Sequence, residues 1–339
     1  MISAGPQPSS AAGAPASSRP QVVVLTAEGT PPPANDAALR ELADITYCDA
    51  AGLAEALPGA EALFIWDFFS GALRDAWPAA DALRWVHVAA AGVDAILFEE
   101  LRESDVVVTN ARGVFDEPIA EFVAASVLAH DKLLHESKAL QNERTWRHRE
   151  PRRTAGAQAL VVGTGGIGRA TARLLRALGM NVRGAGRVAR EGDADFGTVV
   201  ASSELAAHVG DVDHLVLAAP LTDTTRGVVD AEVLAALPEH AHLVNVGRGQ
   251  LVDEPALVAA LQAGDIAAAS LDVFVTEPLP ADHPFWAMPN VHVSAHMCGD
   301  VQGWRDALSD QFETNLRRYV AGESLPDPVD KASGYVPGR

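Results

Sequence analysis

Cysteine is scarce. The 339-residue chain has two, Cys48 and Cys298, too few for a disulfide framework, so a reducing, cytoplasmic setting is expected. Lysine is almost as rare: Lys132, Lys138 and Lys331 stand alone among 26 basic residues, against 45 acids and a formal charge of −19. A field of that sign repels polyanions and argues against nucleic acid as a partner. Any anionic ligand must therefore be captured by arginines placed locally. No apolar run approaches the roughly 18 residues of a membrane span, so no membrane partner is expected. Residues 1–20 hold Ala, Ser, Gly and Pro without a compact apolar block, and read as a flexible tail, not a signal peptide.

What is present is an ordinary globular composition, 48% hydrophobic and 21% charged, long enough for two domains with substantial cores. From Val22 onward short apolar runs alternate with amphipathic stretches. Val22–Leu25, Ala62–Ile65, Trp85–Val88 and Val106–Val108 read as strands buried on both faces, with helical patterns at Asp36–Ile45 and Gly71–Trp77. That alternation predicts parallel βαβ units. Asp116-Glu117-Pro118 then opens a helical stretch to about Arg147, with Asp116 as its cap and Pro118 where a missing amide costs nothing. A rod of roughly 30 residues spans about 45 Å, which predicts a bridge into a second domain with a face left over for a homodimer. Alternation resumes from Ala159 to Ser294, and Trp304–Val320 reads as a closing helix returning to the first domain. The expected fold is α/β, with two Rossmann/flavodoxin-like parallel-sheet domains and the dinucleotide-binding domain (116–296) inserted into the substrate domain (21–115 and 297–339).

Leu160-Val161-Val162-Gly163-Thr164-Gly165-Gly166-Ile167-Gly168-Arg169 is a strand, a glycine turn and a helix start. Gly163 permits the tight turn, Gly165 lets a pyrophosphate approach the backbone, and Gly168 permits close packing of helix on strand. Gly166 and Ile167 complete a ring of amides at the positive helix end. The next strand, Asn181-Val182-Arg183-Gly184-Ala185-Gly186, ends without the acid that usually binds the ribose 2′-hydroxyl of NAD. Arg187 and Arg190 stand there instead. Guanidinium can grip a 2′-phosphate, so NADP(H) is the preferred cofactor, with NAD(H) possible.

Downstream come Asn245-Val246-Gly247-Arg248-Gly249, Leu271-Asp272-Val273-Phe274-Val275-Thr276-Glu277-Pro278, and Val293-Ser294-Ala295-His296-Met297. With the glycine loop, Pro220-Leu221-Thr222, Thr225-Arg226, Ala91-Gly92-Val93-Asp94 and Asn110-Ala111-Arg112-Gly113, the chain resembles the D-isomer-specific 2-hydroxyacid dehydrogenases along nearly its whole length after residue 20. The resemblance implies a catalytic trio of Arg248, Glu277 and His296. A 2-oxo acid wants those types: a planar fork for its carboxylate, an imidazole to protonate its ketone oxygen, and a carboxylate that favours the protonated imidazole. It further implies that Ala91, Gly92 and Val93 bind the substrate carboxylate and that Asp272 accepts from the nicotinamide carboxamide. Pro220 and Leu221 wall the cofactor, with Thr225, Val246, Gly247 and Gly299 beside them. No metal is implied. Two departures stand out: Ala295 replaces the family's frequent proline before the histidine, and Cys298 replaces a small hydroxyl residue.

Trp66-Asp67-Phe68-Phe69-Ser70-Gly71 leaves a strand's carboxyl end, where open α/β sheets bind ligands. Trp66 and Phe68 are therefore candidates to line a pocket for a medium-sized apolar 2-oxo acid. A glyoxylate or hydroxypyruvate reductase, and a dinucleotide-sensing corepressor-like protein of the same fold, are the alternatives.

Overall fold

The computed structural model describes residues 19–68 and 70–336; the expected tail falls outside them but for Arg19 and Pro20, as does Phe69. Strands β1 (Gln21–Leu25), β2 (Asp44–Cys48), β3 (Ala62–Ile65), β4 (Trp85–Val88) and β5 (Val107–Asn110) form a parallel sheet in the order β2-β1-β3-β4-β5. Every residue of β3 and β4 is buried, as expected for strands covered on both faces. The edge strand β2 was not expected. The helix before it stops at Leu42, and Asp44-Ile45-Thr46 alternates exposed, buried, exposed, which breaks the helical spacing.

The second sheet holds β6 (Gln158–Val162), β7 (Asn181–Gly186), β8 (Arg190–Asp193), β9 (Gly197–Ala201), β10 (His214–Leu217), β11 (His242–Asn245), β12 (Ala268–Leu271) and β13 (Val291–Val293). Their order is β13-β12-β11-β10-β6-β7-β9-β8, parallel throughout except for β8 against β9. The chain leaves β6 in one direction through β7 and returns to its other side as β10. That reversal opens a crevice at the carboxyl ends of β6 and β10.

The connecting region departs from the expected rod. It is two helices, Asp116–Asp131 and Leu134–Asn142, separated by Leu133 in the left-handed region at φ 54°. Anchorage explains the break: Asp131 is buried, its carbonyl accepts from Arg152 N at 2.9 Å, and the Lys132 ammonium donates to the Arg152 carbonyl at 2.5 Å. Asp116 does not cap the first helix either. Its carboxylate turns onto Gly166, where a Cβ would lie 2.1 Å from Oδ2.

The closing helix is Trp304–Val320. Its Phe312 is fully buried and stacks on Phe64 at 3.9 Å and on Trp85 at 5.2 Å. Burying each such ring stabilises the fold by about 2 kcal/mol, so the closing helix is fastened to the first sheet. The nucleotide-binding unit is thus inserted into the first domain. Among the described residues no helix is long and apolar enough to cross a membrane.

Candidate active site

The site is assembled by turns at the carboxyl ends of strands. After β11, the buried Asn245 side chain accepts from Gly247 N at 3.1 Å and donates to the Arg248 carbonyl at 2.9 Å. This small ring fixes the direction in which Arg248 leaves the sheet. A side chain at Gly247 would strike Leu251 and the Ala219 carbonyl. The Arg248 guanidinium crosses to the other domain and pairs with Asp94 at 3.0 Å. It lies so close to Gly92 that a Cβ there would sit 1.9 Å from its nitrogen. Gly92 is therefore required by the arginine, independently of any amide role. Asp94 stands in a quoted sequence block, but its charge alone gave no sign that it faced Arg248. Beside it, Val93 is buried, and the Ala91 carbonyl accepts from the Asn110 side chain at 2.5 Å.

Glu277 and His296 meet as the residue types imply. Nδ1 of His296 donates to Glu277 Oε2 at 2.7 Å, while Oε1 accepts from Phe274 N at 2.8 Å. Burial alone would raise the Glu277 carboxyl. The hydrogen bonds from His296 and Phe274 and the charges of His296 and Arg248 outweigh it, holding it below the usual range. The group is thus a carboxylate facing an imidazole, with the guanidinium within electrostatic reach.

His296 itself occupies a strained backbone position at φ 50°. Asp272 holds it there: its carbonyl accepts from His296 N at 2.8 Å, and its carboxylate oxygens accept from Met297 N and Cys298 N at 3.0 Å each. Three bonds from one wholly buried residue fix the turn that aims the imidazole. The Asp272 carboxylate is thereby engaged with the backbone amides of that turn. Cys298 is buried, and burial followed by the nearby Asp272 charge pushes its thiol far above the ordinary range, which is unsuited to a nucleophile. Gly299 packs against Phe115, which a Cβ would meet at 2.7 Å.

The glycine loop divides into closed and open positions. At Gly163, φ is 112° and a Cβ would lie 2.6 Å from the Ala218 carbonyl; at Gly168 it would lie 1.9 Å from the Gly163 oxygen. Both are demanded by the protein's own packing. Gly165, immediately before the helix Gly166–Ala177, has nothing within 4 Å of that position. A cradle closed at its base and open at the helix N-terminus fits a pyrophosphate. Gly166 and Ile167 form the first turn of that helix. Across the crevice, Thr225 closes a compact loop by donating to the Pro220 carbonyl at 2.7 Å and accepting from Thr222 N at 2.8 Å. Pro220 is exposed, Leu221 half-buried and Val246 buried.

The two arginines after β7 differ. Arg190 opens β8, an unexpected strand, and donates twice to Asp193 at 2.8 and 2.9 Å. Asp193 also receives Arg169, so Arg190 is engaged in an ion-pair network, although 37% of its side chain stays exposed. Arg187 is exposed and forms no ion pair among the described residues.

Trp66 does not line a pocket. Its ring is 4% exposed and tilted against Phe64, and its indole N–H donates to the Pro31 carbonyl at 2.9 Å. Trp66 belongs to the same buried core cluster as Phe64 and Phe312. Phe68 instead meets Trp304 edge-on at 5.7 Å, and Trp304, the first residue of the closing helix, was not among the expected site residues. Among the described residues no cluster of His, Cys, Asp or Glu could hold a metal ion.

An inserted doubly wound domain, a glycine cradle and the Glu277–His296 pair with Arg248 in electrostatic range suit a dehydrogenase acting on a small acid. Comparison with known proteins agrees. Residues 124–298 match the family described as D-isomer specific 2-hydroxyacid dehydrogenase, NAD binding domain. Glyoxylate/hydroxypyruvate reductase A of Serratia proteamaculans is 32% identical over 262 residues, 75% of this chain and 82% of that one. A D-isomer specific 2-hydroxyacid dehydrogenase of Xanthobacter autotrophicus Py2, solved with NADPH and MES, superposes with a TM-score of 0.79 at 31% identity, covering 93% of this chain and 99% of that one. An NADPH-dependent glyoxylate/hydroxypyruvate reductase of Sinorhizobium meliloti, solved with NADP and sulfate, has a TM-score of 0.77 at 28% identity, covering 93% of this chain and all of the other. The chain belongs to the D-isomer-specific 2-hydroxyacid dehydrogenases.

Proposed function

We propose that the protein reduces a small 2-oxo acid to the D-2-hydroxy acid with NADPH, using Arg248, Glu277 and His296. The observation that carries this reading is the 2.7 Å bond between His296 Nδ1 and Glu277, in the electrostatic range of Arg248. The nicotinamide, when bound, supplies the hydride to the carbonyl carbon. Arg248 leaves Asp94 to bind the substrate carboxylate and polarise the ketone oxygen. Nε2 of His296 delivers the proton to that oxygen, and in the reverse direction the same nitrogen removes it. Glu277 keeps the imidazole oriented by accepting from Nδ1, which leaves Nε2 for the substrate. Gly163, Gly165, Gly166, Ile167 and Gly168 would hold the pyrophosphate, and Arg187 the 2′-phosphate. The Pro220–Thr225 loop with Val246 and Gly247 would wall the crevice.

The names of the relatives support glyoxylate and hydroxypyruvate as substrate class. Withdrawal of Trp66 into the core also removes one of the two aromatics that suggested a larger side chain. We place the substrate domain at 21–115 and 297–339 and the nucleotide domain at 116–296. We further propose a homodimer. Residues 143–151 run outside both sheets and carry Trp146 wholly exposed, a position that a second copy would cover. Steady-state consumption of NADPH with glyoxylate, hydroxypyruvate, 2-oxoisocaproate and phenylpyruvate tests the reading. Turnover should be greatest with the first two; turnover with none of the four would overturn it.

A further inference from the structure

The C-terminal segment after the closing helix is fastened to the substrate domain. Val329 is buried, and its amide donates to the Val108 carbonyl at 2.8 Å. The Lys331 ammonium donates to the carbonyls of Leu101, Ser104 and Val106, and Arg102 donates to the Lys331 carbonyl. Those bonds fix a tight turn in which Asp330 N donates to the Tyr335 carbonyl at 3.1 Å and Gly334 N to the Asp330 carbonyl at 2.8 Å. One side chain of this turn crosses to the nucleotide domain: the Tyr335 ring lies 5.8 Å from the Arg187 guanidinium carbon.

Arg187 follows Gly186, the last residue of β7, and Gly186 borders Thr164 of the glycine loop. A long, exposed arginine at this position samples many rotamers, and ordering one costs entropy. The Tyr335 ring face offers a cation–π seat that restricts it. That seat leaves the N–H edges in the guanidinium plane available for a phosphate, which a carboxylate partner would not. The carboxylate that feels the Arg187 charge, Asp330, has hydrogen-bond donors of its own. Asp330 accepts from the Ser333 hydroxyl at 2.7 Å and from Ala332 N at 3.0 Å, and these, with the Arg187 charge, hold its carboxyl below the usual range.

We propose that Tyr335 is a positioning residue for cofactor choice: its ring seats Arg187 for the 2′-phosphomonoester of NADPH and so ties the end of the chain to the adenosine end of the crevice. The proposal rests on the reading of Arg187 given above. It is tested in the full-length enzyme by the ratio of kcat/KM for NADPH to that for NADH. Tyr335→Ala should lower the ratio about two- to five-fold, and Tyr335→Phe, which keeps the ring, should restore it. Arg187→Ala should lower it further, and Tyr335→Ala should then add nothing, because the ring acts through the arginine. A general structural defect would depress both cofactors together and leave the ratio unmoved. If Arg187→Ala collapses the ratio while Tyr335→Ala leaves it intact, or if the two losses are additive, the role of Tyr335 is overturned and that of Arg187 stands. If Arg187→Ala leaves the ratio unchanged, the 2′-phosphate reading fails and the proposal with it.

Discussion

The nucleotide domain carries imidazoles at both edges of its sheet, and the two sets are built for opposite ends. At the amino edge, His214 opens β10 and His242 opens β11, both fully buried with their Nδ1 atoms 3.3 Å apart. His130 stacks on His242 at 4.4 Å, His242 Nε2 meets Ser270 Oγ at 2.9 Å, and His214 Nε2 lies 3.2 Å from Asp131. Two ring nitrogens facing each other require one to donate and one to accept, so both cannot carry a proton there. Burial, with the neighbouring imidazoles, drives His242 well below its ordinary value and His130 down to about 4. At the carboxyl edge, His296 keeps 28% of its side chain exposed and faces a carboxylate. Burial without a fully competing charge makes histidine a packing residue. Exposure and a carboxylate partner suit the proton-transfer role proposed for His296.

That contrast can be broken most sharply at His296. His296→Gln should lower kcat for 2-oxo acid reduction by about 10²- to 10⁴-fold, whereas His130→Gln at the other edge should leave kcat within about two-fold. Comparable losses at the two edges would erase the distinction. Arg248→Lys comes next. It keeps the charge but loses the planar fork, so kcat/KM should fall by roughly 10- to 100-fold, and an undiminished value would remove the arginine from substrate binding.

Glu277→Gln acts at the same site. It removes the charge that receives Nδ1 of His296 at 2.7 Å, so kcat should fall by roughly 10-fold; an undiminished kcat would uncouple the pair. The smallest effect concerns stability at the amino edge. The folded-state pKa of His130, about 4, lies below its ordinary 6.5. The unfolded chain therefore binds more protons between those values. The contribution of neutral His130 is complete above pH 6.5 and is lost as pH falls toward 4. Unfolding free energies from urea titrations should decline over that window by at most about 1.4 kcal/mol per pH unit for this group, and His130→Leu should flatten the decline. A slope identical in wild type and variant would show that His130 is solvated.

The sheets were legible because fully buried parallel strands leave continuous apolar runs such as Val22–Leu25 and Leu160–Val162. The edge strands β2 and β8 are less legible: half-exposed, they carry Asp44, Thr46 and Arg190, and three alternating positions are too short a run to outweigh the helical spacing that precedes β2. The break at Leu133 is set by tertiary anchors on Asp131 and Lys132, which no local propensity encodes. Arg248, Glu277 and His296 are expected from the resemblance of their blocks to the family's, and the structure brings His296 onto Glu277 at 2.7 Å. The partner of Arg248, by contrast, is 154 positions away at Asp94, and the residue that crosses to Arg187 belongs to the last turn of the chain. Trp66 illustrates the reverse error. An aromatic at a strand's carboxyl end can face ligand or core, and Trp66 faces the core against Phe64, with its indole N–H on the Pro31 carbonyl.

The central claim is that Arg248 and His296 converge on one small acid, although Arg248 is held by Asp94 at 3.0 Å. The most direct measurement is a crystal structure with oxidised cofactor and oxamate, an unreactive analogue of a 2-oxo acid. We expect Arg248 to have exchanged Asp94 for the oxamate carboxylate, and the oxamate carbonyl oxygen to lie about 3 Å from Nε2 of His296. Oxamate bound away from the imidazole, with Arg248 still on Asp94, would contradict the account.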